Sequence, residues 1–325
     1  MRAFTFSRAD NPIAATKSVG TFLAGGTTLL DLMKLDVMRP ERVIDINGLA
    51  HLDEIDTNPH ELRLGALARM STVARHPIVV RDYPVISQSL LLAASAQIRN
   101  MATLGGNVLQ RTRCSYFRDV GWEACNKRHP GSGCAALDGN NRKHAVLGTS
   151  RNCIATYAGD FAQALIALDA SVETSGPQGV RRFPFAALHV APADDPAVET
   201  TLHPGELIMA FIVPALPFAR RSLYLKIRDR QSYEFALASV AVVLDLDGET
   251  SRDVRIALGG VATKPWRASE AENILRNKPL DEAAAHAAAQ VAFKGAVTYG
   301  ANDFKPELGR RTLVRALLEA KALEI

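Results

Sequence analysis

Two hydrophobic patterns take turns along the chain: short apolar runs that stop at glycines, and stretches with apolar residues three or four apart. Ala3 to Phe6 reads as a short strand. Thr21, Phe22, Leu23 and Ala24 continue as an apolar strand that Gly25-Gly26 breaks. Leu29, Leu30, Leu32 and Met33 predict a short helix, which Thr27 and Thr28 can cap. Arg42 to Ile46 and Glu61 to Ala66 alternate as strands and are expected to close a first small α/β lobe. Helical spacing returns at Thr72 to Arg75 and at Tyr83 to Ala96, with Val85, Leu90, Leu91 and Leu92 expected on buried faces. A second glycine turn comes next in Thr103-Leu104-Gly105-Gly106-Asn107. Asp160, after Gly159 and before the apolar run Phe161 to Leu168, stands where a helix N-cap belongs.

Val172 to Gly176 and Val180 to Pro184 look like a hairpin, and Glu206 to Val213 a strand that ends at Pro214. Pro214 to Pro217 reads as a linker. Beyond it, Ser222 to Arg230, Ala238 to Asp245 and Val254 to Val261 alternate as three strands. Helices are predicted at Ala268 to Leu275, Asp281 to Phe293 and Pro306 to Leu323. Strands gathered in one run and helices in the next indicate an α+β domain. A chain of 325 residues, 47% hydrophobic, is long enough for more than one core. The boundary is expected at the linker, giving domains 1–215 and 220–325.

No run of eighteen apolar residues occurs, so no membrane span is predicted. A formal charge of +4 over this length gives little ground for nucleic-acid binding. The N-terminus lacks the apolar run of a signal peptide, so synthesis in the cytoplasm is expected.

The glycine turns are the first candidate chemistry. A strand, a glycine turn and a helix start leave backbone N–H groups free of steric cover, which is how a phosphate is held. Neither a Gly-x-Gly-x-x-Gly pattern nor a Walker lysine is present, so neither of those folds is supported. One such turn is often only a turn. Two of them, some eighty residues apart, can grip one diphosphate from two sides.

The second candidate is sulfur. All four cysteines, Cys114, Cys125, Cys134 and Cys153, fall in one loop, with 10, 8 and 18 residues between them. Disulfides would want an exported chain, and zinc sites usually pair their ligands at shorter spacing. From Arg111 to Arg151 eight cations face three acids, a net of +5, which suits an anionic iron–sulfur cluster. Pro130, Gly131 and Gly133 supply tight turns, and Tyr116, Phe117 and Trp122 are expected to keep water from the thiols. His144 lies near the cysteines and is expected to hydrogen-bond or pack rather than to ligate a metal. The spacing alone leaves an iron–sulfur cluster, zinc and unligated core cysteines open.

Ala24-Gly25-Gly26-Thr27 with its leucine-rich helix, and Ile98-Arg99-Asn100 leading into Thr103-Leu104-Gly105-Gly106-Asn107, resemble the FAD-binding subunits of the xanthine dehydrogenase, or molybdenum hydroxylase, family. The resemblance covers nearly the whole chain. The cysteine loop, at about 111–153, is similar to the insert in the FAD subunits of bacterial aldehyde oxidoreductases and of 4-hydroxybenzoyl-CoA reductase. It implies a 4Fe-4S cluster on Cys114, Cys125, Cys134 and Cys153. It implies FAD held by Thr21, Phe22, Leu23, Ala24, Gly25, Gly26, Thr27, Thr28 and Leu29 and by Thr103, Gly105, Gly106 and Asn107, with Ile98 beside the flavin ring. Asp160, Ile208 and Lys226 sit where family members contact the flavin. By itself, Lys226 on an alternating strand reads equally as a solvated charge.

The implied architecture is a two-lobed PCMH-type FAD-binding domain followed by a small CO dehydrogenase flavoprotein-like C-terminal domain, a three-stranded antiparallel sheet with helices. The implied protein is an oxidoreductase subunit in a heterotrimer with a molybdenum-cofactor large subunit and a 2Fe-2S small subunit. Electrons would pass from the 2Fe-2S centres through FAD to an external acceptor, and substrate would be oxidised on the partner. Periplasmic relatives leave room for co-export beside a twin-arginine partner. The alternatives are a non-catalytic assembly subunit with a structural metal site and a free-standing FAD oxidase; intact glycine turns and a short C-terminal domain speak against them.

Overall fold

The computed structural model describes all residues, 1–325. A first lobe holds β1 (Thr5–Arg8), α1 (Pro12–Lys17), β2 (Thr21–Leu23), α2 (Leu29–Lys34) and β3 (Arg42–Asp45). Its three strands are parallel in the order β1-β3-β2, which the two helical crossovers require. Pro12 opens α1, and the Asn11 side chain accepts from the Ala14 N–H at 2.8 Å.

Next come β4 (Ile55–Thr57) and β5 (Glu61–Gly65), then α3 (Met70–Arg75), α4 (Pro77–Asp82), α5 (Pro84–Leu92), α6 (Ala96–Met101), α7 (Leu104–Val108), α8 (Ser115–Arg118) and α9 (Phe161–Ala167). Strands β6 (Ser171–Gly176), β7 (Gly179–Pro184) and β8 (Leu207–Pro214) join β4 and β5 in a five-stranded antiparallel sheet, order β4-β5-β8-β6-β7. Glu61 to Ala66 therefore does not close the first lobe. It pairs with β8, Leu62 opposite Val213, because its two buried leucines complete the larger core under α3 to α9. In α5, Val85 and Leu90 are buried, while Leu91 is turned outward.

The C-terminal domain contains β9 (Ser222–Ile227), β10 (Ala238–Asp247), β11 (Thr250–Gly259), β12 (Trp266–Arg267), α10 (Ser269–Leu275), β13 (Lys278–Pro279), α11 (Glu282–Ala292) and α12 (Lys305–Lys321). The three expected antiparallel strands are its body, and the short β12 and β13 extend it to five. Both faces of this sheet are covered. Val240, Val242, Leu244, Ile256 and Leu258 pack on its own helices, whereas Tyr224, Ala241, Val243 and Ala257 join the core of the preceding domain. Gly309 of α12 lets the helix close on Phe293: a Cβ there would lie 2.1 Å from the ring. No helix is long and apolar enough to cross a membrane.

Candidate functional site

The two glycine turns meet. Gly25 lies so close to the end of α6 that a Cβ would stand 2.1 Å from the Met101 carbonyl oxygen, and Arg69 donates to that same oxygen and, at 3.2 Å, to Asn47 Oδ1. Gly26 has φ of +74°, open to glycine at no steric cost. The N–H groups of Gly25, Gly26, Thr27 and Thr28 find no acceptor within the chain. The expected threonine cap of α2 is not made by a side chain, since Thr28 has helical backbone angles and no capping bond. At the second turn Thr103 does cap α7, accepting from the Gly106 N–H at 3.2 Å.

Between the turns lies a cleft of about 410 Å³. Thr21, Phe22, Ala24, Gly25, Gly26, Thr27, Thr28 and Leu29 line one side, and Thr103, Gly105, Gly106 and Ile208 the others. Leu23 does not line it; it is half-buried behind the turn, and its carbonyl accepts the Ile46 N–H at 3.0 Å. Thr27 and Thr28 also border a second chamber of about 360 Å³ that contains Ile98, Asn107 and Asp160 and is closed by Tyr233 and Phe235 of the C-terminal domain. Together the two spaces suit a long ligand with a phosphate near its middle. Asn107 Oδ1 is buried with no partner, an acceptor left for a ligand.

Asp160 occupies the N-cap position of α9 but makes no side-chain cap. Its carboxylate instead accepts from Tyr224 Oη at 2.6 Å and Lys226 Nζ at 2.7 Å. Burial first, and the Asp160 charge second, push the Tyr224 hydroxyl well above its ordinary range, so it stays a donor. Tyr224 and Lys226 are two apart on β9 and so share the face turned to the preceding domain. Lys226 is thus no solvated charge: its side chain is 1% exposed, and it also donates to Leu92 O at 3.1 Å. It lines neither chamber and touches the second only through Asp160.

The cysteine loop folds back on itself. Cys125 and Cys134 pair as an isolated antiparallel bridge, Gly131 and Gly133 turn at φ of +87° and +94°, and all four cysteines line one small cavity of about 10 Å³. That is room for one water-sized sphere. No group of three or more His, Cys, Asp or Glu side chains is set to hold a metal ion. The thiols converge on one cavity, but as packed they leave no room in it for a four-iron, four-sulfur cube.

Their chemistry nonetheless suits one. Burial pushes the Cys114 thiol up to about 12 and the Cys153 thiol up to about 11. As packed these two are neutral, and a bound metal would have to supply the charge that makes them thiolates. The Ala155 N–H donates to Cys153 Sγ at 3.4 Å, and His144 Nε2 stands 3.1 Å from Cys114 Sγ. Burial, above all, drops the His144 imidazole to about 4, so it is neutral beside the sulfur.

Two expectations for the loop fail. Trp122 does not cover the thiols: it is 49% exposed and meets only the edge of Tyr116, whereas Tyr116 and Phe117 are buried. Nor is the basic collar free. Arg111 and Lys127 pair with Glu199, Arg113 and Arg118 with Asp31, Arg142 with Asp229 and Lys143 with Glu234. Those acids lie outside the segment, so its local charge count overstates the field at the sulfurs.

A family described as the FAD binding domain in molybdopterin dehydrogenase matches residues 3–216, and one described as the CO dehydrogenase flavoprotein C-terminal domain matches 223–320. The aldehyde oxidoreductase FAD-binding subunit PaoB of Escherichia coli is 47% identical, with 99% of each chain covered. The carbon monoxide dehydrogenase medium chain of Afipia carboxidovorans is 27% identical over 93% of this chain and 87% of the relative. Among solved structures, carbon monoxide dehydrogenase from Hydrogenophaga pseudoflava superposes with a TM-score of 0.77 at 26% identity, covering 99% of this chain and 98% of the other.

Proposed function

The chain belongs to the family defined by the FAD binding domain of molybdopterin dehydrogenases, as a FAD-binding subunit of the molybdenum hydroxylase type, and from that premise we propose that it is the electron-transfer subunit of a heterotrimeric aldehyde oxidoreductase. One observation carries the flavin-binding part of the reading: four residues of the first glycine turn whose N–H groups have no acceptor in the chain line a single cleft with the second turn.

Gly25, Gly26, Thr27 and Thr28, with Thr103, Gly105 and Gly106, would hold the FAD pyrophosphate. Ile98, Asn107 and Asp160 would border its ring chamber, and Lys226 with Tyr224 would hold the Asp160 side chain in place. Cys114, Cys125, Cys134 and Cys153 would hold a 4Fe-4S cluster, with His144 and the Ala155 N–H hydrogen-bonding to the sulfurs. When bound, these groups supply electron exchange between the 2Fe-2S centres of a small partner subunit and an external acceptor. Aldehyde is oxidised on a molybdenum-bearing large subunit. In this chain the residues bind, orient and shield; none acts as a general acid or a nucleophile.

Anaerobic mixing with aldehyde tests the division of labour. The flavin absorbance of the isolated, FAD-loaded chain is expected to persist and to bleach once the partner subunits are added. Bleaching of the isolated chain by aldehyde would overturn the proposal and favour a free-standing oxidase.

A further inference from the structure

A third cavity, of about 460 Å³, opens between the cysteine loop and the C-terminal sheet. It shares Arg113, Arg118 and Phe235 with the second chamber and reaches Cys114 and His144 at its other end. Four cations line it, Arg113, Arg118, Arg142 and Lys143, and no carboxylate does.

The ion pairs around it do not balance. A single oxygen, Asp31 Oδ2, accepts from both Arg113 at 3.2 Å and Arg118 at 2.8 Å. Arg142 meets Asp229 at 2.8 Å, and Lys143 meets Glu234 at 3.2 Å. Behind the wall Lys305 is fully buried and donates only to the carbonyls of His144 at 2.9 Å and Gly260 at 2.6 Å, both lining residues. Four lining cations thus share three carboxylates, all outside the cavity, while burial, with Arg142 and Lys143 nearby, pushes the Lys305 ammonium down to about 7. Partly buried positive charge without a counter-ion is costly, and an anion in the cavity relieves it. Arg113 Nε is buried with no acceptor, a donor still to be matched. The Phe235 ring, 5.0 Å from the Arg113 guanidinium, gives the cavity a flat apolar wall.

We propose that this cavity binds a small planar anion, and that in the working complex this anion is the electron acceptor. The proposal rests on the electron-transfer reading above. The cavity's size falls within the roughly 300–1,000 Å³ of small-molecule sites. A quinoid anion takes up two electrons and two protons to become its phenolic form, the amount released when one aldehyde and one water become a carboxylic acid, so no further oxidant is needed.

The test uses the whole complex with FAD bound, in its oxidised state, so that equilibrium dialysis reads binding without turnover. The probes are the dichlorophenolindophenol anion and the methylene blue cation. In the double variant Arg142→Gln/Lys143→Gln, the Kd of the anion is expected to rise about tenfold and to lose much of its salt dependence, with the cation bound unchanged or more tightly. Lys143→Gln alone, at a more exposed side chain, is expected to move the anion in the same direction by less. An unchanged anion Kd, or equal changes for both dyes, would overturn the proposal. Loss of FAD from the variant would also overturn it, since the cavity would then belong to the flavin. Bleaching of the flavin by aldehyde, measured separately, reports on the electron-transfer reading itself and is expected to be unaffected.

Discussion

Replacing Lys226 by Met tests whether the two domains are joined by one buried ion pair. Lys226 Nζ lies 2.7 Å from Asp160 Oδ2, and the side chains are 1% and 5% exposed. At that distance and an effective dielectric of about 20, the gross attraction is about 6 kcal/mol, much of it offset by desolvation. Methionine fills nearly the same space, but leaves the Asp160 carboxylate buried with only the Tyr224 hydroxyl to satisfy it. Removing one partner of such a pair costs about 3–5 kcal/mol. At roughly 1.5 °C per kcal/mol for a chain of this length, Tm falls by roughly 4–8 °C. Calorimetry on the flavin-free chain is the assay, because bound FAD would add its own stabilisation. The double variant Lys226→Met/Asp160→Asn removes the stranded charge and keeps an acceptor for Tyr224, so it is expected to be more stable than Lys226→Met alone. A single-variant loss below about 1 kcal/mol, or strict additivity in the double variant, would show that the pair does not join the domains.

Gly25→Ala puts a methyl group 2.1 Å from the Met101 carbonyl, so the two turns must move apart; FAD content after purification is expected to fall at least severalfold, while Gly131→Ala, with open space around its Cβ but φ of +87°, keeps FAD. Glu206, at the rim of the first cleft, is raised by burial yet held down at about 2 by Arg181, the Thr174 hydroxyl and the His203 N–H. A depressed carboxyl stabilises the fold above its unfolded value, about 4.3, and that contribution is lost as pH falls through about 2. Glu206→Gln is therefore expected to flatten the Tm profile between those values, and an unchanged slope would count against this pairing.

Local signals were the readable ones. The glycine turns, the hairpin of β6 and β7 and the three long C-terminal strands arise from residues near in sequence, and each forms where its pattern lies. The features that escaped depend on distant partners. The pairing of β5 with β8 spans some 150 residues, so nothing near Glu61 says which sheet it joins. Lys226 alternates like any half-exposed strand residue, and only docking of the second domain turns its face inward. Asp160 has the position of a cap, but a buried ammonium and a hydroxyl outcompete the helix N–H groups for it. The collar of the cysteine loop looked free because Asp31, Glu199, Asp229 and Glu234 lie outside the segment. Convergence of the four thiols on one cavity, by contrast, was signalled by their confinement to one loop.

Whether one chain carries both a flavin and a cluster is decided by counting iron and flavin in the purified complex. One FAD and about four irons per chain beyond those of the 2Fe-2S partner are expected, with a low-temperature EPR signal of the reduced cluster that Cys125→Ser abolishes. Iron that matches the 2Fe-2S partner alone, with zinc or nothing in the loop, would contradict the cluster assignment; absence of FAD would contradict the reading of the glycine turns.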